Sequence, residues 1–101
     1  KNIDIKSKDN YGRNVFQNAV MQSKSSKIVL LFLKNGADIN AKYEYGTVLI
    51  EAINDNNIRL VKLLLEHGAD PNIEDRYGND AYAVAEKAKN KKIIRLLNSK
   101  K

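Results

Sequence analysis

Residues 63–72 read LLLEHGADPN, and residues 31–40 read LFLKNGADIN. The two segments lie 32 positions apart, and both carry Gly-Ala-Asp followed two residues later by Asn. A chain that contains the same segment twice has an internal repeat, and a period of about 33 residues is typical of stacked repeat arrays. The fold is therefore best interpreted from the repeat unit.

A second repeated feature is a Tyr-Gly pair, which occurs at residues 11–12, 45–46 and 77–78. A residue type that commonly caps a helix follows each pair, at Asn14, Thr47 and Asp80. After each cap, apolar residues recur at helical spacing, a polar break follows, and a second apolar run begins. The pattern predicts helix-turn-helix units joined by short β-hairpins.

The Gly-Ala-Asp segments predict how the second helix of a unit ends. Gly36 and Gly68 stand where a helix often ends in a left-handed residue, a conformation that Gly adopts without a Cβ clash. Asp38 and Asp70 follow, and Asp in a turn accepts hydrogen bonds from nearby backbone N–H groups. We interpret these four residues as parts of turns. The two Asp residues are therefore not interpreted as a catalytic acid–base pair.

The repeat resembles the ankyrin repeat, most closely over residues 52–72, AINDNNIRLVKLLLEHGADPN. The resemblance implies an all-α fold, an ankyrin-repeat α-solenoid of stacked helix-turn-helix units with short β-hairpin connections. It covers the chain as a single domain, expected to be the C-terminal portion of an array. The expected parts are the tail of a preceding repeat or hairpin (1–11), repeat one (12–45), repeat two (46–77) and a C-terminal capping repeat (78–101).

One departure from the family pattern bears on stability. The family's first helix carries a His whose ring usually ties neighbouring turns together. That position holds Gln17, Ile50 and Ala83 in the three units. The resemblance therefore leaves open how adjacent units are linked here.

The excess of basic residues behind the net charge of +6 lies in one part of the chain. Residues 85–101 carry seven basic side chains against Glu86, and the remainder of the chain is balanced. A solvated cap at the end of an array accounts for this bias. An acidic protein partner is one alternative. Electrostatic binding of nucleic acid or an anionic surface through these C-terminal helices is the other, although aromatic residues are not interleaved with the basic ones.

Catalytic chemistry has few candidate residues in this chain. It contains no Cys, and its single His, His67, stands at a helix end. We therefore expect no catalytic residues, no cofactor, no metal site and no small-molecule substrate. A regulatory or targeting segment of a larger enzyme remains an alternative.

The resemblance implies partner contacts at the hairpin tips and on the concave side of the first helices. The expected contact residues at the tips are Asn10, Tyr11, Tyr43, Glu44, Tyr45, Arg76 and Tyr77, and those on the first helices are Gln22, Asn54, Asp55 and Lys87. Tyr11, Tyr45 and Tyr77 form a ladder with one rung per repeat. Each ring either packs on the adjacent hairpin or offers a contact surface, as Tyr often does at interfaces.

The function expected is therefore a non-enzymatic protein-protein interaction module that binds a protein partner as a monomer. Nucleic acid is not the expected partner. The longest apolar run is Ile28–Leu33, well below the ~20 residues that a membrane span needs. The expected location is the cytoplasm, with delivery into a host cell as the variant for a protein of a pathogen or symbiont.

Overall fold

A computed structural model describes residues 12–23 and 25–99 of the chain. Within these residues it contains six helices: α1 (Val15–Ser23), α2 (Ser26–Lys34), α3 (Val48–Asn54), α4 (Ile58–Glu66), α5 (Ala81–Ala88) and α6 (Lys91–Asn98). Short connections join the helices into three consecutive pairs. The all-α architecture of stacked helix pairs that the sequence predicts is confirmed.

The first helix of each pair begins at the capping residue that the sequence indicates. The side chains of Asn14, Thr47 and Asp80 each accept a hydrogen bond from the backbone N–H three residues later, at 2.8, 3.4 and 2.9 Å. These bonds satisfy N–H groups of the first turn that have no partner inside the helix. The three N-cap predictions are confirmed.

Helices α2 and α4 end in the same hydrogen-bonded motif. Gly36 and Gly68 have φ angles of +91° and +94°, and the N–H of the following Ala bonds back to the helix. Ala37 N–H donates to Phe32 O at 3.0 Å, and Ala69 N–H donates to Leu64 O at 2.9 Å. Both are Schellman ends, which satisfy carbonyl groups of the last turn.

The Asp residues of the two Gly-Ala-Asp segments act as the sequence predicts. Asp38 accepts from Asn40 N–H at 2.9 Å, and Asp70 accepts from Asn72 N–H at 2.9 Å. Asn40 also links this turn to the next one, because its side chain accepts from Asp70 N–H at 2.7 Å and donates to Gly68 O at 3.2 Å. The stack is therefore connected by hydrogen bonds as well as by apolar contacts.

The first helices form one layer, in which α3 packs between α1 and α5, and α4 packs on α6 in the second layer. In α3 every residue except Glu51 and Asn54 is buried. A helix that is apolar on nearly all sides requires neighbours on both sides, which this position supplies. The largest fully buried side chains of the core are Phe16, Leu49, Ile50, Ile53, Leu64, Ile93 and Leu97.

Gln17 takes over the linking role of the family's His in the first unit. It is buried, and its side-chain amide donates to Ala41 O at 2.7 Å while its carbonyl accepts from Asn14 N–H at 2.8 Å. Both polar ends are thus satisfied, as buried amides require. In the second unit Ile50 is buried at the same position and replaces the hydrogen bond by packing.

The described connections between the units are short, and the central one is a minimal β-hairpin. Among the described residues there is no strand, and the pairing is one isolated bridge, in which Tyr43 and Gly46 exchange N–H···O bonds of 2.8 and 3.0 Å. Thr47 already caps α3, so the chain has no room for a longer ladder. This short pairing agrees with an all-α fold whose units are joined by brief connections.

Two apolar side chains of α2 remain at the surface. Leu30 and Leu31 are exposed, with Leu31 at 52%, whereas Phe32 beside them is buried. The described helices are all too short to cross a lipid bilayer.

Candidate functional site

Five of the residues predicted to contact a partner lie at turns that we call the central tip (residues 42–45) and the C-terminal tip (residues 74–77): Tyr43, Glu44, Tyr45, Arg76 and Tyr77. The N-terminal counterpart, with Asn10 and Tyr11, lies outside the described residues. Each described tip precedes the N-cap of a first helix, Thr47 or Asp80. Both tips therefore project from the edge of the stack at which the first helices begin. Their side chains differ in how much surface they offer.

In the central tip, Tyr43 is buried, with 6% of its surface exposed. Its hydroxyl group donates to the Glu51 carboxylate, the Arg13 guanidinium lies 5.9 Å from its ring centroid, and the Tyr45 ring meets it edge-on at 6.0 Å. The expectation that Tyr43 lies on the tip surface is therefore wrong. Its ring anchors the turn to α3, because a buried Tyr needs a partner for its hydroxyl group.

The surface of the central tip is made by the two loop residues. Glu44 and Tyr45 stand between the bridged residues Tyr43 and Gly46. Glu44 is exposed, and Tyr45 keeps 40% of its surface exposed although its ring contacts Tyr43. Both alternatives for the tyrosine ladder, packing and contact surface, therefore apply to Tyr45. Its ring packs within its own tip, and one face of the ring is still exposed.

The C-terminal tip is organised by a carboxylate instead of an aromatic ring. Asp75 stands 32 residues after Tyr43, and its side chain accepts from the N–H groups of Tyr77 and Asn79 at 2.8 and 3.0 Å. The Tyr77 ring beside it is 73% exposed. The Arg76 guanidinium lies 5.4 Å from the Tyr77 ring centroid, within cation–π range.

An ion pair joins the two tips. Arg76 Nη1 lies 2.7 Å from Glu44 Oε2, and both side chains remain roughly half exposed. Because the residues are 32 positions apart, they occupy equivalent places in successive units. The pair links the two tips at the surface and places opposite charges along the edge that carries Tyr45 and Tyr77.

A polar cavity of about 410 Å³ lies beside the C-terminal tip. It is lined by Asn54, Asn56, Asp75, Asn79, Val84, Lys87 and Ala88, and we call it the inner groove. The structure thus brings together Asn54 and Lys87, two of the predicted first-helix residues. Asp75 both organises the tip and lines the groove, so the two form one continuous surface.

Gln22 and Asp55, the other predicted first-helix residues, are exposed but do not line the inner groove. Sequence reasoning missed Asn56, Asn79 and the dual role of Asp75. Asn56 carried a signal, because Asn is one of the few non-Gly residues that adopts a positive φ readily, and here φ is +55°. Its side chain accepts from the Asn90 amide at 3.2 Å.

The surface formed by the groove and the tips carries polar, charged and aromatic side chains. Within the part of the chain that the structure describes, no three His, Cys, Asp or Glu residues come together as metal ligands would. His67 is the exposed C-cap of α4. The groove and tips offer amides, aromatic faces and charged side chains of both signs: Lys42, Arg76 and Lys87, and Glu44, Glu74 and Asp75.

The repeat is also found by comparison with known families. A sequence model of ankyrin repeats matches residues 16–101 with three copies, whereas a comparison with curated proteins finds no match. Ankyrin repeats are generally protein–protein interaction modules, and the family is generally non-enzymatic. The match covers most of the chain and agrees with the three stacked helix pairs, and the chain therefore belongs to the ankyrin repeat family.

Proposed function

We propose that this chain is a non-enzymatic module that binds a protein partner through its tips and its inner groove. The observation that carries the proposal is Tyr77, whose large ring is 73% exposed beside Arg76. Tyr and Arg are enriched among the residues that dominate binding energy at protein interfaces. An exposed aromatic ring next to a polar groove favours a contact role over a purely structural one.

The groove gives the proposed interface its polar part. Lys87 and Asp75 line the same cavity with the amides of Asn54 and Asn79. Such a surface offers both donors and acceptors, which suits an extended peptide segment or a loop with exposed backbone groups. We expect the partner's apolar side chains to meet Tyr45 and Tyr77 while its polar groups enter the groove.

We expect Glu44 and Arg76 to support binding by linking the two tips, and not by attracting charged groups of the partner. Because they pair with each other, they add a weak link between two tips whose spacing the packing beneath them sets. A prearranged surface loses less conformational entropy on binding. A monomeric state and a cytoplasmic location are part of this proposal.

The test is affinity capture from cells of the source organism, with captured proteins quantified by mass spectrometry. The baits are the wild-type chain, Tyr77→Ala, Lys87→Glu and Leu31→Ala. Leu31→Ala is the matched control, because it also truncates an exposed apolar side chain but lies on α2, away from the tips.

We expect at least one protein to be captured by the wild type and by Leu31→Ala and to be lost with Tyr77→Ala and Lys87→Glu. Circular dichroism of each bait must show an unchanged helical signal. If neither tip nor groove variant changes the captured set, the proposed surface is not where the partner binds.

A further inference from the structure

A second groove lies in the second layer of helices, between α4 and α6. It has a volume of about 340 Å³ and is lined by Ile58, Lys62, Lys92, Arg95, Leu96 and Ser99, and we call it the outer groove. None of these residues lines the inner groove or belongs to a tip. The outer groove is therefore a separate surface, which the proposed function does not use.

The groove combines an apolar floor with a basic rim. Ile58 and Leu96 are partly buried hydrophobic residues that pack against the core, so they form the floor. Lys62, Lys92 and Arg95 are exposed around it. Among the described residues these three cations make no ion pair, whereas Arg76 is paired with Glu44.

The position of Lys92 adds to the positive potential of the groove. Helix α6 begins with Lys91 and Lys92 and has no acidic residue in its first turn. Cations at a helix N-terminus face the positive end of the helix dipole and are disfavoured there. An anionic ligand would relieve this repulsion, so the groove is electrostatically suited to carboxylate groups.

We propose that the outer groove is a docking site for an acidic amphipathic peptide segment of a partner protein. One or two aliphatic side chains of the segment would rest on Ile58 and Leu96, and flanking carboxylates would pair with Lys62, Lys92 and Arg95. This arrangement is a helix-in-groove mode with an acidic helix. The charge of the rim selects the ligand, and the floor requires it to be amphipathic.

The lining disfavours a nucleic acid in the same place. Nucleic-acid grooves commonly offer aromatic rings on which bases stack, and the outer groove contains none. Glu66 lies at the adjoining smaller cavity of about 170 Å³, with Lys62 and Leu96. A continuous phosphate backbone would meet that carboxylate, whereas a short peptide can end before it.

The test uses fluorescence anisotropy with a labelled helical peptide of Glu and Leu, with Leu at positions i and i+4. A scrambled peptide of the same composition and a labelled DNA duplex are the comparison probes. The variant Lys62→Glu/Arg95→Glu reverses the rim. The matched control, Lys27→Glu/Lys34→Glu, changes net charge equally on exposed positions of α2.

We expect the amphipathic peptide to bind the wild type and the control, and the rim variant to bind it about tenfold or more weakly. Amide NMR signals of Ile58 and Leu96 should shift on titration, whereas those of Asn54 and Lys87 should not. Replacing both Leu residues of the peptide with Ser should also reduce binding by about tenfold.

Other outcomes overturn the proposal. Equal binding of the scrambled peptide would mean a diffuse electrostatic attraction without a groove. Preference for duplex DNA with a steep salt dependence would assign the rim to nucleic acid. No binding of the peptide, or shifts at the inner groove instead, would leave the outer groove without this role and leave the proposed function untouched.

Discussion

The central and C-terminal tips occupy equivalent places in successive units, yet they are built by different means. Tyr43 anchors the central tip from below, with its ring buried and its hydroxyl group bonded to Glu51. Asp75 holds the C-terminal tip from within, by hydrogen bonds to the backbone of its own turn. The buried ring draws Tyr45 partly inward, whereas Tyr77 stays exposed. A repeat thus preserves the path of the backbone while it varies how each turn is stabilised and what it displays.

The largest difference between the tips should appear when the aromatic anchor is removed. Tyr43→Ala deletes a buried ring and the hydrogen bond from its hydroxyl group to Glu51, so we expect the free energy of unfolding to fall by about 3 kcal/mol or more. Tyr77→Ala should change it by less than about 0.5 kcal/mol, because that ring is exposed. Urea unfolding followed by circular dichroism measures both. Equal losses of unfolding free energy would mean that the two rings contribute equally to stability, which would contradict this prediction.

The glycines that close the tips provide a second contrast. Gly46 has φ of +107°, and an added Cβ would stand 2.8 Å from Ile50 Cδ1 and 3.3 Å from Asp75 Cβ. We expect Gly46→Ala to cost about 2–4 kcal/mol, from the strained backbone and from overpacking. Gly78 has φ of +80° and open space around it, so Gly78→Ala should cost only about 1 kcal/mol. The shift in thermal midpoint of each variant checks the order, and a larger loss at Gly78 would contradict it.

Replacing the carboxylate of the C-terminal tip should have a smaller effect. Asp75→Ala removes the acceptor of two backbone N–H groups at a partly exposed site, and we expect a loss of about 1–2 kcal/mol. Asp75→Asn keeps one oxygen acceptor and should recover much of that loss. Glu74→Ala, next to it and exposed, serves as the control and should be close to neutral. Amide hydrogen exchange at Tyr77 and Asn79 should rise in the Ala variant alone, and unchanged exchange would show that Asp75 does not hold the turn.

The ion pair between the tips should contribute least. Both partners are about half exposed, so a double-mutant cycle of Glu44→Ala and Arg76→Ala should give a coupling energy of about 0.2–1 kcal/mol. About 1 M salt should remove most of it, since exposed charges are screened. A coupling well above that range would mean that the pair, and not the packing beneath it, determines the spacing of the tips.

The sequence predicted those parts of the fold that depend on near neighbours. The helix caps at Asn14, Thr47 and Asp80, the glycine ends of α2 and α4, and the Asp turns all involve partners within a few residues. Such bonds follow from residue type and spacing, so a single sequence reveals them.

The parts that the sequence missed depend on partners far along the chain. The bond from Gln17 to Ala41 and the pair of Glu44 with Arg76 join residues that lie in different units. The family resemblance places Tyr43 among the tip residues expected to contact a partner, yet packing under the turn buries it. Of the residues predicted from the sequence, Asn54 and Lys87 line the inner groove and Tyr77 is exposed at the C-terminal tip, whereas the inclusion of Asp75 and Asn79 in one cavity depends on the stacking of α3 on α5.

The central claim is that a protein partner binds the edge formed by the tips and the inner groove. The most direct measurement places a photoreactive phenylalanine analogue at position 77 in one sample and at position 31 in another, both exposed in the folded chain. After irradiation in cells of the source organism, we expect a discrete crosslinked product from position 77 and none from position 31. A product from position 31 alone, or the same product from both positions, would contradict the account.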